Sequence, residues 1–273
     1  MSQVTIKPTS EDRDDLALLE TAAREAGAIA LGYFKADPQV WTKGNSSPVT
    51  EADLAVDKYL HKTLMARRPD YGWLSEESED DKSRLQKDRI FVIDPIDGTR
   101  AFIDAGTEWT ISLAVVERGR PVAAALFAPV RDEMYCAHLN GGATLNGETL
   151  VCPDRKKLQG ARAAGPGSAI RKGPLARAGV ECHDYIRSLA YRIVMITTGA
   201  LDLALAREHA NDWDLAAADL IVEEAKGQLR DKNGSHLLYN QPQTRHASLY
   251  AANAHLGELV QPMMARLSFP VRR

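Results

Sequence analysis

The apolar residues of this chain fall into two helical patterns, then a block of strands, then a mixture of the two. From Thr9 to Phe34, Leu16, Leu19, Ala22, Ala23, Ala26 and Ala30 recur at helical spacing and line one face. Thr9 and Asp12 give that helix a capping-box start. From Thr50 to Arg67, Ala52, Val56, Tyr59, Leu60 and Leu64 repeat the pattern. The polar link Lys43-Gly44-Asn45-Ser46-Ser47-Pro48 between them reads as a loop. Ile90-Phe91-Val92-Ile93 is a continuous apolar run, as in a buried strand. Strands are predicted over Thr110 to Glu117, Val122 to Phe127 and Glu133 to His138, with turn signals at Arg118-Gly119, Asn140-Gly141 and Asn146-Gly147. Such a meander pairs antiparallel. After about Val151, short apolar runs alternate with helices, clearest over Tyr191 to Thr198, Asp202 to Ala206 and Asp214 to Ala225. The expected class is α/β (α+β), as an N-terminal α+β domain over residues 1–150 and a C-terminal α/β domain over 151–273. Asp154 to Gly179, rich in Gly, Ala, Arg and Lys, gives no clear element.

A chain of 273 residues suffices for one large or two modest domains with real cores. Hydrophobic residues make up 44% and charged residues 26%, the balance of a soluble globular protein. A net charge of -3, with no basic run interleaved with aromatics, argues against a nucleic-acid polymer or a membrane as partner. Met1 to Ser10 lacks the apolar core of a signal peptide, and no apolar run reaches membrane-spanning length, so a cytoplasmic location is expected. Cys136, Cys152 and Cys182 are scattered, which fits neither a disulfide framework nor a zinc site. The seven histidines lie apart with no H-E-x-x-H spacing. Any metal is therefore expected on oxygen ligands, which points to magnesium or manganese.

The most specific stretch is Asp94-Pro95-Ile96-Asp97-Gly98-Thr99, directly after the buried apolar run. It sets two carboxylates three residues apart at the carboxyl end of a strand. Pro95 fixes φ and cannot donate, so the backbone there leaves the strand ladder. Gly98 lets the chain turn where a Cβ would clash, and Arg100-Ala101-Phe102-Ile103 is compatible with a helix start. Carboxylates hold divalent cations and N–H groups at a helix start hold phosphate, so a site with both suggests metal-assisted phosphate chemistry. Other acidic positions have simpler uses too. Asp53 completes a T-x-x-D capping box with Thr50, and Asp214, after Trp213, complements a helix macrodipole. Glu76-Glu77 opens an acidic stretch through Glu79, Asp80 and Asp81 of the kind usually solvated.

In combination these segments resemble the inositol monophosphatase superfamily of metal-dependent phosphomonoesterases. The pieces follow the family's order: Val49-Thr50-Glu51-Ala52-Asp53, Glu76-Glu77-Ser78, Asp94-Pro95-Ile96-Asp97-Gly98-Thr99, Gly199-Ala200-Leu201-Asp202, Trp213-Asp214-Leu215-Ala216-Ala217 and Ala251-Ala252-Asn253. They extend over about residues 12 to 260. The resemblance implies a layered αβαβα fold whose second part closes over the substrate. It implies that Glu76, Asp94, Asp97 and Asp214, with the Ile96 carbonyl, ligate two or three Mg2+ ions, for which Mn2+ can substitute. Gly98 and Thr99 would present N–H groups to phosphate. Asp53 and the Thr99 hydroxyl would orient or deprotonate the attacking water, and Glu76 would hold water near a third, weaker metal. Lys43 would match a lysine that approaches the site. Lithium sensitivity and a homodimer are implied as well. Two positions depart from the family: Ser75 stands where glycine is frequent, and Lys226 where a glycine commonly precedes Gly227.

The chemistry needs such a set. The transition state of phosphoryl transfer spreads charge over oxygens, so catalysis is mostly positioning plus positive charge. Two carboxylates about 5 Å apart repel by roughly 3 kcal/mol at an effective dielectric near 20, so several together call for cations. The expected reaction is hydrolysis of a small phosphorylated metabolite. Substrate choice is expected in Ala206-Arg207-Glu208-His209-Ala210-Asn211-Asp212. Glu208 or Asp212 accepting from ring hydroxyls favours an inositol phosphate. Arg207, Arg192 or Lys172 meeting a second phosphate favours a 3'(2'),5'-bisphosphate nucleotidase acting on 3'-phosphoadenosine 5'-phosphate. A histidinol-phosphate phosphatase is a third option. Arg100, after the Gly-Thr step, is also expected to touch the substrate. The rivals from other classes are a regulatory protein-binding role without need for turnover and a metal-binding structural protein.

Overall fold

The computed structural model describes residues 6–36, 39–43 and 47–267. The chain opens with helix α1 (Ser10–Tyr33), followed by a hairpin of β1 (Val40–Lys43) and β2 (Ser47–Thr50), and α2 (Glu51–Arg67). Both helices start where the sequence predicts, with capping boxes at Thr9 and Thr50. The hairpin was expected as a loop. Its pairing runs through Pro48, opposite Thr42, on a two-stranded sheet where one missing donor is tolerated.

A seven-stranded sheet follows, in the order β3 (Gly72–Ser75), β4 (Arg89–Asp97), β5 (Thr110–Glu117), β6 (Arg120–Ala128), β7 (Glu133–His138), β8 (Ala143–Leu145) and β9 (Glu148–Leu150). Only β3 and β4 pair parallel; the rest is the expected antiparallel meander. A short helix α3 (Thr99–Ile103) leaves β4. Arg118-Gly119 and Asn146-Gly147 both take positive φ at each residue, as two-residue type I′ turns require. At the third turn Asn140 and Gly142, rather than Gly141, are the positive-φ residues.

The second sheet is assembled from β10 (Arg162–Ala164), β11 (Glu181–Cys182), β12 (Leu203–Ala206), β13 (Gly227–Asp231) and β14 (Leu249–Asn253), ordered β11-β10-β12-β14-β13. Between its strands run α4 (Gly167–Arg171), α5 (Pro174–Arg177), α6 (Leu189–Val194) and α7 (Asp212–Glu224), and α8 (Ala254–Met264) closes the order. The predicted run Tyr191 to Thr198 is the helix α6 and the turns after it.

Period-two alternation explains the layers. On β4, Phe91 and Ile93 face α1 and α2, whereas Ile90 and Val92 face α6 and α7. On β12, Ala204 and Ala206 face that same helix pair, whereas Leu203 and Leu205 pack with α8. The result is α1/α2, seven-stranded sheet, α6/α7, five-stranded sheet and α4/α5/α8, the αβαβα order expected. The middle core draws on both sheets and so on residues either side of position 150. The long sheet is buried on both faces, which is why Ile90 to Ile93 reads as continuously apolar.

Candidate active site

Strand β4 does not stop before Pro95. It pauses. Asp94 pairs with Ser112 and Asp97 with Thr110, three steps on β4 against two on β5, which is a β-bulge. Pro95 and Ile96 occupy it, so the proline leaves the ladder as expected, for two residues only. The Ile96 N–H donates to Asp94 Oδ1 at 3.0 Å, fixing that side chain against its own backbone. Gly98 then takes φ +95, and a Cβ there would lie 3.1 Å from the Glu108 carbonyl oxygen and from Ser188 Cβ. The first bonds of α3 run from Ala101 and Phe102 to the Gly98 carbonyl, so the Thr99 amide precedes the helix ladder.

Three elements converge on Asp94. β3 runs parallel to β4, and its pairing continues as the Glu76 N–H donates to the Ile93 carbonyl. Helix α7 starts above them and delivers Asp214. One carboxylate oxygen each from Glu76, Asp94 and Asp214 lies within 4.8 Å of the others. Asp97 stands beside them with both oxygens engaged. Its Oδ2 accepts from Ser188 Oγ (2.5 Å) and the Ala190 N–H (2.7 Å), and its Oδ1 from the Leu189 N–H (3.2 Å). Asp97 thereby caps α6 from the neighbouring layer.

Asp53 and Asp214 are capping residues that also stand close enough to Asp94 to raise it. Asp53 Oδ2 accepts from the Thr50 N–H (2.8 Å) and Thr50 Oγ1 (2.6 Å), and its Oδ1 faces Thr99 Oγ1 at 3.2 Å. Asp214 Oδ2 accepts from the Asn211 N–H at 2.6 Å. The capping bond takes one oxygen and aims the other, so the plain reading of these two acids and the functional one describe the same geometry. The Thr99 hydroxyl donates either to Asp53 or to the Ile96 carbonyl, 3.1 Å away.

The electrostatics are those of like charges under burial. Burial lifts the Asp94 carboxyl far above the usual range, and Glu76, Asp97, Asp214 and Asp53 add to it. Burial likewise lifts Asp214, reinforced by Asp97 and Glu76. It lifts Asp97 too, opposed by Ser188, the α6 amides and Arg192. Asp53 is raised by burial against its Thr50 and Thr99 hydrogen bonds. An all-oxygen donor set held together at this cost in repulsion fits a hard divalent cation.

A model of the inositol monophosphatase family matches residues 12–265. The chain belongs to that family. It is 32% identical over 231 residues to the Nus factor SuhB of Xylella fastidiosa, covering 80% of this chain and 82% of that one. It is 30% identical over 237 residues to an inositol-1-monophosphatase of Rhizobium meliloti (84% and 86% covered). It is 30% identical over 230 residues to the 3'(2'),5'-bisphosphate nucleotidase CysQ of Escherichia coli O157:H7 (80% and 90% covered). In fold it superposes on an inositol monophosphatase of Thermotoga maritima with a TM-score of 0.81 at 24% identity, over 93% of this chain and 97% of the other. As a member of the family it is a metal-dependent phosphoric monoester hydrolase, and the family acts on small phosphorylated substrates.

Both departures from the family pattern have a structural account. Ser75 donates to Asp57 Oδ1 at 2.5 Å and accepts from the Glu77 N–H at 3.3 Å; Ser78 donates to Asp57 Oδ2 at 2.9 Å. Asp57, one turn after Asp53 on α2, thus clamps the Glu76-Glu77 turn from below. Lys226 takes φ +68 just past α7, a conformation that glycine reaches without strain.

The expected substrate residues scatter. Arg100 lies exposed on α3, its carbonyl accepting from Arg187 Nη1 at 2.7 Å. Glu208 is exposed near His209. Arg192 is buried: Nη1 donates to the Ile186 carbonyl at 2.9 Å, the guanidinium lies over Tyr185, and Nε has no partner. Asp212 requires a correction. It is fully buried, with Oδ1 2.7 Å from His246 Nε2 and Oδ2 accepting from the Asn240 N–H at 2.8 Å. A carboxylate so enclosed braces the 240–246 segment and cannot read substrate hydroxyls. Lys43 ends β1, and its side chain lies outside the described residues. The sequence reading missed Ser188 and Asp57. Only Asp57 had a visible signal, its place four residues after Asp53 on one helix face. Among the described residues no helix is long and apolar enough to cross a membrane.

Proposed function

We propose that this chain hydrolyses an inositol-type monophosphate, with Mg2+ held by Glu76, Asp94, Asp97, Asp214 and the Ile96 carbonyl. The observation that carries the reading is the convergence of Glu76, Asp94 and Asp214 oxygens within 4.8 Å, Asp94 buried and the other two partly so. Bound there, the cation supplies positive charge against the phosphate and makes water more acidic. The chain supplies the rest. Thr99 Oγ1, turned toward Asp53 as donor, presents its lone pairs to the attacking water, and the proton passes toward Asp53. A carboxyl whose pKa burial has raised is the better base for that task. The Gly98 and Thr99 amides orient the phosphate oxygens. Exposed Glu208 is left to accept from ring hydroxyls, with Arg100 at the rim.

The nucleotidase reading draws on the likeness to CysQ and needs a cation for a second phosphate. Arg192 is a poor candidate for it, because it is buried and its guanidinium packs against the Ile186 carbonyl and the Tyr185 ring, just before α6. A protein-binding role of the kind the name Nus factor implies for the Xylella fastidiosa relative needs no turnover, yet here the acidic set is complete. The test is Mg2+-dependent phosphate release from inositol 1-phosphate and from 3'-phosphoadenosine 5'-phosphate at equal concentration. Preference for the inositol ester is expected. Preference for the nucleotide replaces the substrate assignment, and release from neither removes turnover.

A further inference from the structure

Arg84 is the feature that the proposed reaction leaves unexplained. It sits in a single 3-10 turn (Ser83–Gln86) after the acidic stretch, yet it is fully buried. A buried guanidinium is costly unless its charge and donors are all matched. Here the charge is paired and every guanidinium nitrogen donates, with partners from two directions. Asp80 takes Nε (2.9 Å) and Nη2 (2.8 Å) in a bidentate pair. From the far side of the site, Asn240 Oδ1 takes Nη1 (2.6 Å) and the Gln241 carbonyl takes Nη2 (3.1 Å). Lys82 adds a bond to the Pro242 carbonyl at 3.1 Å. The acidic stretch is therefore not simply solvated: Arg84 holds the Asp80 carboxyl well below the usual range, against burial.

The connection continues to the other ligand-bearing element. Asn240, at φ +52, donates its N–H to Asp212 Oδ2, and Asp212 Oδ1 meets His246. Asp212 is the first residue of α7, two before Asp214. An unbroken series of bonds thus runs from the turn that follows Glu76, through Arg84 and Asn240, to the helix start that presents Asp214. The turn is anchored in place as well. Gly72 of β3 has no room for a Cβ, which would lie 3.0 Å from Arg84 Cα.

We infer that Arg84 is a positioning residue, which through Asp80 and Asn240 fixes the separation of Glu76 and Asp214 and so sets the affinity of the site for a divalent cation. This rests on the reading of Glu76, Asp94 and Asp214 as ligands. Two carboxylates on different elements repel each other, and a bridge between the elements keeps them from relaxing apart before the cation arrives. Support of this kind around ligands changes metal affinity by about 10- to 100-fold.

The test is calorimetric titration of the metal-free full chain with Mn2+. Arg84→Lys keeps the charge but loses the fork, and Asn240→Gly keeps the positive φ but loses the side-chain acceptor. Each is expected to weaken Mn2+ binding by about tenfold. Arg89→Lys, at the other end of β4, is the control: it lowers the unfolding temperature and leaves Mn2+ affinity within twofold. Should Arg84→Lys fail to fold, Asn240→Gly decides alone. Folded variants that bind Mn2+ as tightly as wild type overturn the inference while leaving the ligand reading intact. A wild-type chain that binds no Mn2+ overturns both.

Discussion

Strand β4 carries buried charge at both ends, and the two ends are balanced in opposite ways. At its start Arg89 reaches Asp12 (2.7 Å), Asp15 (3.0 Å) and Glu117 (2.8 Å), while Arg68 also pairs with Asp15 (2.8 Å). Burial works against the Arg89 charge, but Tyr71 and Asp12 outweigh it and hold the guanidinium firmly protonated. At the other end, the charged neighbours that shift Asp94 most are all acids. One cluster is neutralised by the chain's own side chains and ties α1 to the sheet. The other gathers acids that repel one another, with Arg192 opposing the effect at Asp97 among the described residues. Burial alone therefore does not distinguish a structural charge cluster from a functional one; the sign of the neighbours does.

The sharpest way to break this contrast is Asp94→Asn. The variant is expected to fold, to unfold at higher temperature than wild type in the absence of cation, and to lose about a thousandfold in turnover, near 4 kcal/mol of barrier. It also loses the rise in melting temperature that millimolar Mg2+ gives the wild type, since only a bound native state is stabilised. Near-normal phosphate release would remove Asp94 from the site.

Arg89→Met reverses the pattern. It strands buried carboxylates without their cation, which costs about 3 kcal/mol in stability. Turnover per folded molecule, and the Mg2+-induced rise in melting temperature, stay unchanged. Denaturant titration alongside phosphate release separates the two effects, and a matching loss of activity would show the two ends to be coupled through β4.

The pH dependence sharpens the same comparison. Asp94 and Asp214 are raised in the folded chain, so without cation they keep protons that the unfolded chain has released above its pKa near 3.8. That stabilisation is fully present below the unfolded pKa and is lost as pH rises through the folded one. Asp219, lifted to about 6 by burial despite Arg120, acts with the same sign and can contribute up to about 3 kcal/mol. Metal-free wild type is therefore more stable at pH 5 than at pH 7. Asp94→Asn shows a smaller gain, with Asp219 supplying what remains. An identical gain in both proteins would mean that Asp94 does not titrate in that window.

Much of this was legible in the sequence, for reasons that differ by residue. The helices α1 and α2 announce themselves by spacing and capping boxes, and the strands β5 to β7 by apolar runs set off by turn signals such as Arg118-Gly119. Asp94, Asp97 and Thr99 stand out because a proline and a glycine are interleaved with them after an apolar run. The β1–β2 hairpin was hidden because the link from Lys43 to Pro48 is polar and ends in a proline. Capping of α6 by Asp97, and the Arg84–Asn240 contact across 156 positions, left no local pattern, since both join residues that only tertiary folding brings together. Asp212 misled because an acid beside Trp213 looks the same in a sequence whether it faces substrate or a buried histidine.

The smallest expected effect tests whether the acidic end depends on stability at all. Helix α7 begins with the turn that aims Asp214, and two residues past its end stands Lys226, whose left-handed backbone carries a Cβ penalty. Lys226→Gly relieves that penalty and is expected to stabilise the chain by about 1 kcal/mol, seen as a higher denaturant midpoint with unchanged slope. Neither charge cluster touches this position. If the acidic end is set by local geometry, Mg2+ dependence and turnover stay as in wild type while stability rises. If they shift, the exit of α7 is mechanically linked to its start, and the distinction between the two ends of β4 extends to the helix layer above them.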